Sequence, residues 1–170
     1  MKGIFWKEGE AFSNSMSLIA FLLVRYPEIA SVRFDPDQKT LQFSFVVTSD
    51  IGEAQLEEFK DNLLMSVESI VELHGRELER FEIQTAHDSS MTFLEIIRDI
   101  DSLSQEEITL MISLVKQTFE SVLLLDPEDV VQEEDIMMQE EMIEHMLEDL
   151  KDSQQEKRLI GFRVEGRVFI

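Results

Sequence analysis

The densest group of residues that could do chemistry centres on His145. On a helix, Glu141 lies one turn before it and Glu148 and Asp149 one turn after, so three carboxylates and an imidazole share a face. Such ligands could hold a divalent cation. Two familiar metal patterns are not met. The Glu-x-x-His pair of di-iron bundles would need a glutamate at 142, where Met142 stands. A calcium loop would need alternating Asp or Asn positions and a central glycine, which the acidic stretch lacks. A solvated helix face accounts for these residues, so Glu141, His145, Glu148 and Asp149 stand as a candidate cluster and no metal is assigned.

The other two histidines are simpler. His87 precedes Asp88, Ser89 and Ser90, the residue types of a hydrolase triad crowded into one turn. A triad needs members converging from separate elements, with the base held between nucleophile and acid. A polar turn is the better reading. His74, one residue before Gly75, reads as a histidine near the negative end of a helix dipole. With no cysteine, thiol catalysis and zinc–thiolate sites are excluded. The six glycines are scattered and form no phosphate loop, so no catalytic residue and no cofactor is expected. An enzyme would need a pocket assembled from scattered residues, with Glu82, Glu95 or Asp99 as a buried base.

Charge is the stronger signal. Thirteen of the 32 residues from Asp126 to Lys157 are Asp or Glu, against two lysines, within a net charge of −21. Residues 52–125 carry a further surplus of eleven negative charges, whereas the last thirteen residues are net positive. Nucleic acid and anionic membrane are repelled by such a surface, and basic proteins are attracted. Glu133, Glu134, Glu140, Glu141, Glu144 and Glu148 are the candidate partner-binding residues. Met137 and Met138 lie outside the helix's apolar arc, where flexible thioethers suit an adaptable interface.

These groups must be positioned by an ordinary core. At 170 residues and 44% hydrophobic content, the chain is long and apolar enough to fold as one domain. The apolar run Met16 to Val24 is too short to span a membrane, and Glu8 and Glu10 before it argue against a signal peptide, so a cytoplasmic protein is expected.

A first helix runs from about Ser13 or Ser15 to Arg25 and stops before Pro27. Trp6, with Ile4 and Phe5, reads as a local staple onto it. Ser31–Phe34 and Leu41–Val47 form a hairpin around Asp35-Pro36-Asp37-Gln38, the second strand alternating Leu41, Phe43, Phe45 and Val47 with more polar positions. Asp50 caps a long helix that ends at Gly75. Glu77–Thr85 and Met91 to about Asp99 form a second strand pair. A helix follows from Ser102 or Ser104 to Leu125. Asp126-Pro127 opens the acidic helix, in which Ile136, Met142, Ile143, Met146, Leu147 and Leu150 fill one arc, a stripe open either to the protein's own core or to a partner. The end, Leu159 to Ile170, is a strand or a hairpin turning at Glu165-Gly166.

A shift of 52 positions superimposes Asp50 on Ser102, Leu56 on Ile108 and Leu63 on Val115, which suggests an internal ββα repeat over about 31–75 and 77–125. Within a single domain, the expected parts are a core over 1–125, an acidic amphipathic helix over 126–157 and a C-terminal strand or hairpin over 158–170. The fold class is α+β: an antiparallel or mixed sheet with helices largely on one face, in the order α-ββ-α-ββ-α-α-β(β). The functional expectation is a non-enzymatic binding or regulatory protein that docks a basic protein partner and could form a homodimer. The alternative is a small-molecule or divalent-metal-dependent enzyme.

Overall fold

In the computed structural model, residues 4–5, 14–125, 133–152, 158–164 and 167–170 are described. The elements are β1 (Ile4–Phe5), α1 (Asn14–Arg25), β2 (Ser31–Asp35), β3 (Thr40–Val47), α2 (Glu53–Leu73), β4 (Phe81–Asp88), β5 (Met91–Asp99), α3 (Gln105–Phe119), α4 (Glu133–Asp152), β6 (Leu159–Val164) and β7 (Arg167–Phe169). The strands form one sheet in the order β1-β7-β6-β2-β3-β5-β4. Every neighbouring pair is antiparallel except the short β1 with β7. The fold is α+β, with the order of helices and strand pairs that the hydrophobic pattern predicts.

Side-chain parity explains why the helices share one face. Leu41, Phe43, Phe45 and Val47 of β3 stand opposite Arg98, Ile96, Leu94 and Thr92 of β5, and Phe34 and Val32 of β2 continue the rows. All of these side chains are buried, and the apolar ones join Phe59, Leu63 and Val67 of α2 and Ile108, Met111 and Val115 of α3 in one core. Alternate positions such as Arg33, Glu82 and Gln84 point to the other face and are exposed. Along β6 the same parity brings Gly161 under α1. A Cβ there would collide with Ile19 and lie 3.0 Å from Leu23 Cδ1, so the helix approaches the strand as closely as glycine allows.

Two ββα units sit side by side in this sheet. Thr40 and Thr92 begin or nearly begin β3 and β5, and Glu53 and Gln105 begin α2 and α3, each pair 52 positions apart. β3 and β5 pair with each other, leaving β2 and β4 on the outer sides of the four strands.

Several boundaries differ from the pattern-based reading. Asp50 does not cap α2; Gly52 is its N-cap and offers no side-chain bond, so the chain turns into the helix two residues later. The end of α2 is as expected. Gly75 takes φ +68°, its N–H donates to Glu72 O and that of Arg76 to Val71 O, which closes the helix in a Schellman arrangement. β4 begins at Phe81 rather than Glu77 and continues through Ala86-His87-Asp88, because Ser89, at φ 59°, makes a two-residue turn with Ser90. α3 stops at Phe119 rather than Leu125. The chain beyond it instead pairs with the end of β3: Thr48 N–H donates to Val122 O and Leu124 N–H to Val46 O, both at 2.8 Å. β6 and β7 form the C-terminal hairpin. The expected helix start at Asp126-Pro127, the turn at Glu165-Gly166 and Trp6 lie outside the described residues, whereas Ile4 and Phe5, read as part of a staple onto α1, form the unexpected strand β1 beside β7.

Candidate functional site: an acidic cleft between two helices

α4 is seated on the core. Ile143, Leu147 and Leu150 are buried, Met146 is partly so, and the helix packs against α1 and α3. Its apolar stripe is therefore used by the protein's own fold. The flanking carboxylates fasten it. Glu140 accepts from Arg25 Nη2 at 3.0 Å, Glu144 Oε2 accepts from the N–H of Gln105 at 2.9 Å, and Glu148 accepts from Arg76 Nη2 at 3.1 Å and also meets Lys151. The Glu144 contact supplies an acceptor and a negative charge to the N-terminus of α3, where helix N–H groups lack partners. At the other end of α4, Lys39 Nζ donates to Lys151 O at 2.7 Å, a cation set against the negative pole of that helix.

Three of the six candidate docking carboxylates thus hold α4 in place, and of Glu133 and Glu134 only the backbone is described. Glu141 is exposed and forms no ion pair among the described residues. Around it the fold builds something larger. Glu140, Glu141 and Glu144 of α4, Glu106 at the start of α3 and His74 at the end of α2 line one cleft of about 390 Å³. Met137 forms part of its wall and is 61% exposed, as is Met138. His74 Nε2 lies 3.3 Å from Glu106 Oε2 within this lining. The cleft thus gathers four carboxylates, with Arg25 on Glu140 as the cation that answers them. Such a pocket can accept a lysine or arginine side chain, with the thioethers packing on its methylenes.

Glu106 and His74 were not among the candidate residues read from the sequence. They come from the ends of two other helices, and no spacing along the chain connects them to α4.

The cation cluster proposed around His145 is only partly assembled. His145 Nε2 is 3.6 Å from Asp149 Oδ2, but Glu148 turns to Arg76 and Lys151. Among the described residues no three His, Asp or Glu side chains converge to hold a metal ion. His87 Nδ1 lies 3.1 Å from Thr92 Oγ1 and 3.6 Å from Asp50 Oδ1, in the last turn of strand before Ser89.

The three carboxylates considered as buried bases fare differently. Glu82 is exposed and bound to Arg80 at 3.0 Å, and Glu95 accepts from Gln42 across the open sheet face. Asp99 is buried beside Arg98. Burial acts to raise its pKa, but hydrogen bonds from Ser102 and from the Arg80 N–H, with the Arg98 charge, outweigh it and hold the group below the usual carboxylate range. A carboxylate so held is a poor proton acceptor. Arg98 also binds Glu107, which burial pushes upward against the opposing Arg98 contacts. Arg98 Nε and both terminal nitrogens are engaged, with Glu107, Asp99, Ser102 Oγ and Arg80 O as acceptors. This network pins the end of β5 to the start of α3, the element that presents Glu106 to the cleft.

No helix among the described residues is long and apolar enough to cross a membrane. Comparison of the chain with family models, with curated proteins and with solved structures gives no match.

Proposed function

We propose that the protein is a non-enzymatic binding module that takes a basic segment of a partner protein into the acidic cleft between α3 and α4. The observation that supports this reading is the convergence of Glu106, Glu140, Glu141 and Glu144 on one concavity walled by Met137. The chain's net charge of −21 would speed the encounter, and the cleft would supply register and the apolar contact. Relative to the sequence reading, the docking surface moves from the length of the acidic helix to its stretch from Met137 to Glu144 together with the start of α3.

The test is titration of labelled Lys/Arg-rich peptides, with an acidic peptide of equal length as control, at several salt concentrations. Glu106→Gln/Glu141→Gln is the informative variant, because both groups are exposed and neither bonds to α1 or to the N-terminus of α3. The expected result is salt-sensitive binding of the basic peptides alone, weakened about 3- to 10-fold in the double variant. Equal affinity in wild type and variant, or binding indifferent to salt, would defeat the reading.

A further inference from the structure

The sheet ends in two unlike edges. One is closed by β1, two residues long; the other is β4, which runs in unbroken register with β5 from Phe81↔Arg98 to Asp88↔Met91. Among the described residues no strand lies on the outer side of β4. Proteins usually blunt an edge of this length with proline, lysine or a bulge. The segment Phe81–Asp88 has no proline or lysine, and its ladder has no bulge. In the first ββα unit the corresponding edge, that of β2, is occupied by β6 in antiparallel pairing.

Two bonds show which backbone groups of β4 are free. Asp99 N–H donates to Arg80 O at 3.2 Å, and Ile100 N–H donates to Lys39 O at 3.0 Å. Hydrogen-bonded and non-bonded positions alternate along an antiparallel ladder. Odd positions of β5 therefore turn their backbone toward β4, and even positions of β4 turn theirs toward β5. Phe81, Ile83, Thr85 and His87 are left with N–H and C=O groups directed outward.

We propose that β4 pairs antiparallel with β4 of a second copy of this chain, about a twofold axis at Gln84, making one continuous sheet. A twofold axis perpendicular to the sheet keeps each face on its own side, so odd positions must meet odd positions. Two such registers pair all but one residue of the strand. With the axis at Thr85, Glu82 would face Asp88, two carboxylates directly opposed on one face. With the axis at Gln84, Glu82 faces Ala86 and Arg80 faces Asp88, so the clash is replaced by opposite charges. That register also sets Phe81 against His87 and Ile83 against Thr85, whose free backbone groups then satisfy each other. Ile83 is buried and Phe81 partly so against the core, and their row continues across the junction. This pairing stands independently of the acidic cleft, and salt separates the two. Screening weakens a basic peptide in the cleft but eases the approach of two chains of charge −21.

Because the chain has no cysteine, single substitutions report the register directly. In a non-hydrogen-bonded pair the two Gln84 Cα atoms would stand about 4.5 Å apart, within the range a disulfide bridges. Sedimentation velocity of the wild type is expected to show a dimer at tens of micromolar. Gln84→Cys is expected to cross-link under mild oxidation about tenfold faster than Thr85→Cys. Thr85→Pro removes an outward N–H that makes no bond within one chain. It should raise the dimer dissociation constant by about 100-fold while the circular dichroism spectrum stays unchanged. A wild type that stays monomeric up to ~0.5 mM, a dimer indifferent to Thr85→Pro, or faster cross-linking through Thr85→Cys would each overturn the proposal.

Discussion

Arg98 and Glu107 meet in a bidentate pair: Nε donates to Oε2 at 2.6 Å and Nη2 to Oε1 at 2.7 Å, with neither side chain exposed. Asp99 shares the same guanidinium, so one buried cation answers two carboxylates. Removing Arg98 would leave both anions without their counter-charge, which typically costs about 3–5 kcal/mol.

Glu107→Gln tests the balance more finely. Burial raises the Glu107 pKa in the folded protein. A raised carboxylate contributes its stability while protonated and loses it as pH rises through the folded pKa. The stability of wild type minus that of Glu107→Gln should therefore fall as pH rises above about 4.3, then level off. Asp99 acts in the opposite sense: its lowered pKa contributes stability above the usual carboxylate range, lost as pH falls through the folded value. It is present in both proteins and largely cancels in the difference. Urea unfolding from pH 4 to 8 measures it, and a difference that rises with pH would show that the Arg98 contacts outweigh burial.

Leu147 decides whether α4 belongs to the core. It is fully buried between α4 and the rest of the cluster. Leu147→Ala should reduce global stability by about 2–5 kcal/mol, as for other buried leucines. A helix that projected from the domain would leave the denaturant midpoint nearly unmoved, and that result would also remove the cleft, since α4 forms one wall of it.

Gly161 sets the distance between α1 and the sheet. Adding one methyl there forces Ile19 aside, at an expected cost of about 1–3 kcal/mol. Gly52, by contrast, has open space around the position of a Cβ, so Gly52→Ala should change the melting temperature little. Equal effects at the two glycines would contradict the close packing of α1 on β6.

Much of the architecture was legible in the chain because it depends on local periodicity. The alternation from Leu41 to Val47 and the helical spacing from Leu56 to Ile70 mark which side faces inward, and β3 and α2 follow them. Boundaries were less legible. Residues 120–125 continue an apolar helical pattern, yet they leave α3 because hydrogen bonds to the end of β3 offer their backbone a better partner. Two charges did carry a readable signal. Arg98 follows Leu94 and Ile96 on the inward side of β5, and Glu107 adjoins Ile108 on the inward side of α3, so each breaks an apolar row and requires a partner.

What the sequence by itself determined is the set of elements, their inward faces and the strongly acidic surface, since each arises from residues near one another along the chain. The site belonged to tertiary structure. Glu106 and His74 join Glu140, Glu141 and Glu144 only because α4 returns over the start of α3, and Glu148 leaves His145 because Arg76, 72 positions away, reaches it first. Whether a carboxylate on an amphipathic helix is free to bind a partner or already spent on its own fold depends on which cation the folded chain brings beside it, and periodicity along the sequence carries no record of that distance.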